Sequence, residues 1–233
     1  MLPEIDLNRI IVMVFPLIFA VSLHEAAHGF AALRMGDDTA ARAGRVTLNP
    51  IRHLDLFGSF ILPLLLGVLG APFVLGYAKP VPVNPARFTH WKKGTLWVSS
   101  AGILANLTLL ALSGLCFRLL FAAAQGLEPM GSTAMFLTVD LLLILAYSVL
   151  INALLAVFNM LPIPPLDGSR ILQVFLPPAL QKRFASLDRL GIILVLLLLA
   201  LKADWLFGFI WFIITPLVAL ALGNGGMAFI AGG

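Results

Sequence analysis

Apolar residues in this chain do not alternate with polar ones; they come in long blocks separated by short basic segments. The first block covers residues 9–33 and is broken only near its end, by His24, Glu25 and His28. The second, residues 56–77, is interrupted by Pro63, Gly67, Gly70 and Pro72. The third covers residues 94–124 and the fourth residues 133–160. Residues 190–222 are apolar again, broken at Lys202 and Asp204, and would cross as one tilted span or two short ones. A helix rises about 1.5 Å per residue, so about 20 apolar residues traverse a hydrocarbon layer of about 30 Å. The pattern predicts an all-α integral membrane protein, a polytopic helical bundle of about 4–6 membrane segments.

The segments between the blocks carry the topology. Residues 34–55, 78–93 and 162–189 are basic, whereas 125–132 holds Glu128 and no base. Basic loops stay on the cytoplasmic side, which places those three segments there and the N-terminus outside. The second block then has basic flanks at both ends. It is expected to enter and leave on one side, as a re-entrant or broken hairpin. Irregular backbone at that depth requires protein or a watery cavity around it. Lys79-Pro80-Val81-Pro82-Val83-Asn84-Pro85 must be extended. Gly44-Arg45-Val46-Thr47-Leu48-Asn49-Pro50 alternates and is expected to form a short strand near the cytoplasmic face.

Composition agrees. Hydrophobic residues make up 61% and charged residues 11%, against about 45–50% and about 25% in soluble domains. The net charge of +4 is explained by topology, so no nucleic-acid partner is expected; the lipid bilayer is the implied one. The single cysteine, Cys116, excludes an internal disulfide and a cysteine metal cluster. Glu4 and Asp6 argue against a cleavable signal peptide at the N-terminus. The expectation is one membrane domain over 1–233, with a catalytic core over 9–176 and C-terminal membrane segment(s) over 190–222.

The chemistry lies in His24-Glu25-Ala26-Ala27-His28. Histidines four apart share one helix face and can bind one metal ion, with Glu25 beside the open position. Ionisable residues at membrane depth default to function. A catalytic zinc needs a third protein ligand. His53 and His90 lie in polar loops, with solvated or supporting roles expected; Cys116 and Asp140 lie nearer the predicted outer side. Asp167 follows the fourth block, on the side where His24 and His28 should lie. It reads equally as a ligand or as the N-cap of a helix over 169–176.

Together with Asn159-Met160-Leu161-Pro162-Ile163-Pro164-Pro165-Leu166-Asp167-Gly168, that motif resembles the site-2 protease family of intramembrane zinc metalloproteases. The stretches 44–50 and 79–85 and Ala101-Gly102-Ile103-Leu104-Ala105-Asn106 resemble its compact prokaryotic form without a PDZ domain. The resemblance covers about residues 20–175. It implies that His24, His28 and Asp167 bind one Zn2+ and that Glu25 is the catalytic base. It also implies that Asn159 lies near the reacting peptide and that Asn106 lines the cavity wall. Ile103 stands where the family often has proline and Ser169 where glycine is common; neither removes a ligand or the base. The implied reaction is hydrolysis of peptide bonds in or next to transmembrane segments of membrane proteins. The implied location is a prokaryotic inner membrane, with the site towards the cytoplasm. Residues 44–50 and the second block are candidate surfaces for pairing with an extended substrate.

The competing reading is a non-proteolytic metal-binding membrane protein, a transporter or pseudoprotease. Glu25 discriminates, because transport has no use for a non-ligating base beside the first histidine. Serine-type and aspartyl-type intramembrane sites lack their partners: no further histidine lies in a span, and Asp140 and Asp167 fall at opposite depths.

Overall fold

The computed structural model describes residues 7–68, 76–125, 132–187 and 204–232. Its helices are α1 (Leu7–Arg34), α2 (Thr39–Arg42), α3 (Leu62–Val68), α4 (Trp91–Gln125), α5 (Ser132–Met160), α6 (Asp167–Phe175), α7 (Pro178–Ser186) and α8 (Asp204–Gly232). A π-helical turn, Phe57–Ile61, leads into α3. Among the described residues, four stretches are long and apolar enough to cross a membrane: Val12–Arg34, Trp91–Gln125, Ala134–Met160 and Gly208–Phe229. The chain is a multi-pass, all-α membrane protein, as the block pattern predicts.

Helix α4 is the hub, packed against α1, α5, α6 and α8. Spacing explains which faces meet. On α5, Leu142, Ala146, Val149, Ala153 and Val157 are buried, and on α8, Ile210, Ile214, Val218 and Leu222. Steps of three and four put each set on one helix face. Together with Leu110 and Phe117 of α4 they form the main core. The opposite faces carry large exposed apolar side chains such as Phe136, Phe212 and Leu220. In water such a surface would aggregate, whereas in a bilayer it meets lipid tails. On α1 the buried stripe is Leu17, Ala20, Val21, His24, His28 and Ala32. The two histidines therefore point into the bundle with the packing residues.

The basic segments gather at one end. Thr89 N–H donates to the Met35 carbonyl at 2.9 Å, and Asn84 N–H to Oδ2 of Asp37 at 2.6 Å. Those bonds set the start of α4 beside the end of α1, so the two helices run antiparallel. Asp167 reaches the same end through its contacts with α1. The ends of the second block also meet. Tyr77 N–H donates to the Gly58 carbonyl at 3.0 Å, and Ser59 Oγ donates to the Tyr77 carbonyl at 3.0 Å. The chain thus leaves and returns at one point, as a hairpin requires; its tip, 69–75, lies outside the described residues.

One expectation is corrected, and two are sharpened. Residues 44–50 form bends and turns, and no strand occurs among the described residues. A strand needs a partner, and here local groups take its place. Gly44 turns the chain at φ 66°, Thr47 Oγ1 accepts from Asn49 N–H, and Asn49 Oδ1 accepts from Ile51 N–H. Of the two roles expected for His53, solvated or supporting, the structure removes the first: it is wholly buried, its Nε2 on the Thr47 carbonyl at 2.9 Å. The C-terminal helix runs past residue 222 to Gly232, with a break at Gly223, φ 72°. Arg118 Nε donates to the Ala221 carbonyl at 2.8 Å beside that break, satisfying one of the carbonyls the break frees. Whether 190–222 crosses once or twice falls partly outside the described residues.

Candidate metal centre

Nε2 of His24 and Nε2 of His28 are 3.0 Å apart. Oδ2 of Asp167 lies 3.3 Å from each. The three atoms thus form a nearly equilateral triangle. Tetrahedral ligands at about 2.0–2.1 Å from a zinc ion are separated by about 3.3 Å, so the triangle fits one face of such a site.

Protonation supports the fit. His28 Nδ1 is 2.7 Å from the Val98 carbonyl, which can only accept. His24 Nδ1 is 2.6 Å from Oδ1 of Asn106. Both imidazoles therefore carry their proton on Nδ1, and both Nε2 lone pairs face each other. Oδ2 of Asp167 is a buried atom without a hydrogen-bond donor. Three electron-pair donors converging in a buried place repel one another unless a cation sits between them. Two imidazoles and one carboxylate are a donor set suited to zinc.

Local sequence explains how the donors arrive. Helical spacing stacks His24 on His28. A Cβ on Gly102 of α4 would lie 2.5 Å from His24 Cε1 and 2.6 Å from His28 Nε2. Only glycine lets α4 pass this close. Asp167 is the first residue of α6, and Leu166 occupies the N-cap position without a side-chain capping bond. The capping alternative for Asp167 is therefore overturned: its carboxylate turns to α1 instead of its own helix. A Cβ on Gly168 would lie 2.1 Å from the Met160 carbonyl oxygen, so glycine also permits the fold-back that delivers Asp167.

Glu25 is half-buried and accepts the Val81 N–H at Oε2, 2.7 Å away. Asn159 is also half-buried on α5, and its Nδ2 donates to the Leu155 carbonyl of its own helix at 3.0 Å. His90 is exposed. Among the described residues His24, His28 and Asp167 are the group able to hold a metal ion. The residues that sequence reasoning missed are Asn152 and the main-chain groups of Val98 and Val81. Asn106, anticipated as cavity wall, bonds a histidine of the triangle directly.

Over 186 residues, 80% of this chain and 78% of the relative, the sequence is 38% identical to a Bacillus subtilis protein named "Putative zinc metalloprotease YwhC". Residues 120–201 match the model of peptidase family M50. The chain belongs to peptidase family M50. Two mycobacterial relatives of this M50 chain carry the name "Putative zinc metalloprotease Rip2". The one from Mycobacterium tuberculosis is 31% identical, covering 83% of this chain and 69% of the relative. The one from Mycolicibacterium smegmatis is 30% identical, covering 84% and 70%. No solved structure matches. The family-model match includes Asp167, Asn159 and Asn152 of the M50 chain but not His24 or His28, so the latter rest on motif and geometry.

Proposed function

We propose that this M50 chain is an intramembrane zinc metalloprotease of the site-2 type, with a single membrane domain over 1–233 and a catalytic core over about residues 9–176. The observation that carries the reading is the triangle of His24 Nε2, His28 Nε2 and Asp167 Oδ2, with both Nδ1 atoms occupied elsewhere. Those three residues would hold one zinc ion. Bound there, zinc supplies Lewis acidity towards a scissile carbonyl and a water.

The remaining steps belong to this chain's own groups. Glu25 Oε1, the oxygen opposite the one held by Val81, takes a proton from the attacking water. The same carboxyl then delivers it to the leaving amine nitrogen. Asn159 is assigned to the reacting peptide as a hydrogen-bond donor, which requires its Nδ2 to leave the Leu155 carbonyl. The substrate is a transmembrane segment of another membrane protein. It must unwind locally, because a helical peptide bond is shielded by its own hydrogen bonds. The basic segments at the site's end of the bundle favour the cytoplasmic side of a prokaryotic inner membrane. Water enters there without crossing the lipid.

The deciding experiment is Glu25→Gln, purified in detergent, assayed for zinc and for cleavage of a model transmembrane substrate. Zinc should stay at one per chain while turnover falls by about 100-fold or more. Unchanged cleavage removes Glu25 as base. A parent that binds zinc but cleaves no membrane segment leaves the transporter or pseudoprotease reading instead.

A further inference from the structure

A line of buried polar side chains leads from the α4–α5 interface to His24. Asn106 and Asn152 are 0% and 1% exposed. Their amide orientations follow from one fixed end. The Ser148 main-chain carbonyl is an obligate acceptor, and the Asn152 atom 2.9 Å from it must be Nδ2. Oδ1 of Asn152 then faces Asn106 and receives its Nδ2 at 2.8 Å. That nitrogen also lies 3.4 Å from the Ala20 carbonyl, a second obligate acceptor. Asn106 is left with Oδ1 towards His24 Nδ1, at 2.6 Å. An amide oxygen cannot donate, so the proton sits on Nδ1 of His24 and the lone pair on Nε2. His28 gets the same result from a main-chain carbonyl, which cannot turn over. Only His24 depends on side chains that can.

We infer that Asn152 is a positioning residue for metal binding, which through Asn106 locks His24 in the Nδ1–H tautomer. This rests on the metal reading above. Without the Asn152 oxygen, the Asn106 amide keeps only the long 3.4 Å contact with the Ala20 carbonyl, so it flips more readily and offers Nδ2–H to His24. The imidazole then keeps its proton on Nε2, where no lone pair remains for a metal. Two amides at membrane depth, each satisfied by the other and by carbonyls, are retained for orientation more readily than for packing.

The test uses full-length protein in detergent. Zinc affinity is read by competition with a chromophoric chelator, and histidine tautomers by 15N NMR of the metal-free protein. Asn152→Leu, close in shape, should weaken zinc binding by about 10-fold or more and raise the Nε2–H population at His24. Asn152→Asp keeps an acceptor oxygen and should restore affinity. Ser113→Ala should match the parent; it lies at the same interface, and its hydroxyl meets Ser148 Oγ at 2.8 Å without touching either amide. Parent-like affinity and tautomer in Asn152→Leu would overturn the inference. If that variant does not fold, the metal-free parent decides: an Nε2–H form at His24 overturns the inference, and an Nδ1–H form supports it. A parent that takes up no zinc overturns the metalloprotease reading instead and leaves the tautomer measurement standing.

Discussion

The main-chain N–H of Val81 donates to Oε2 of Glu25 across 2.7 Å. Pro80 and Pro82 have no N–H, so Val81 is the one main-chain donor in residues 80–82. The segment is pinned on both sides of that bond. Lys79 N–H donates to the His53 carbonyl at 2.8 Å, and Asn84 N–H to Asp37. Against α1, a Cβ on Gly29 would lie 3.3 Å from Val81 Cγ1. The proline-rich segment thus holds one oxygen of Glu25 in place.

Val81→Pro removes that donor from a segment already extended between prolines. Turnover should fall by about 10- to 100-fold through misplacement of the base, with zinc content unchanged. Val81→Ala keeps the N–H and should stay near the parent. Steady-state cleavage and metal analysis of the two variants decide; equal turnover in Val81→Pro would show that the bond is incidental.

Gly102→Ala puts a methyl group within 2.5–2.6 Å of both imidazoles. Either α4 retreats or the histidines rotate, and both spoil the triangle. Zinc occupancy should drop well below one per chain, and overpacking should destabilise the fold by about 1–3 kcal/mol. Metal analysis beside a thermal melt separates the two effects. Full occupancy in a folded variant would mean that the histidines need not lie where α4 now holds them.

Asp167→Ala leaves two imidazoles and no anion. Two protein ligands do not make a catalytic zinc site, so zinc should be lost to a chelator that leaves the parent loaded. Asp167→Asn tests charge separately from shape and should also lose zinc, since an amide is a poor substitute for a carboxylate ligand. Retention of zinc by both variants would remove Asp167 from the ligand set.

Much of this was legible in the chain because membranes make sequence patterns blunt. The apolar blocks that became α1, α4 and α5 needed only length and hydropathy. His24 and His28 needed only helical spacing. The charge of the flanking segments brings Asp167 to them, but only the start of α6 at Asp167 separates ligand from N-cap. What stayed hidden has a common cause. The Val98 carbonyl and the Val81 N–H exist at every non-proline residue, so no letter in the sequence marks them. Asn152 does leave a signal, a polar side chain deep in an apolar block. Residues 44–50 misled because alternation describes one strand, while a strand exists only with a neighbour.

Asp37 links acid stability to the same site. It is wholly buried just beyond α1 and accepts from Thr39 N–H at 3.0 Å, Thr39 Oγ1 at 2.5 Å and Asn84 N–H at 2.6 Å. Burial pushes its carboxyl up, but the bonds from Thr39 and Asn84 outweigh this and lower it below the ordinary carboxylate value. The ionised form is therefore favoured by folding. Its stabilisation is full above the unfolded value of about 4 and is lost as pH falls through the lower folded value. Asp37→Asn, which turns an amide N–H against donors, should cost about 1–3 kcal/mol at pH 7. The melting curves of parent and variant should converge as the medium is acidified below about pH 4. Because Asn84 anchors the segment that presents Val81 to Glu25, turnover at pH 7 should fall in Asp37→Asn with zinc retained. A gap between the two melting curves that stays constant from pH 7 into the acid range would show that the charge of Asp37 carries none of it.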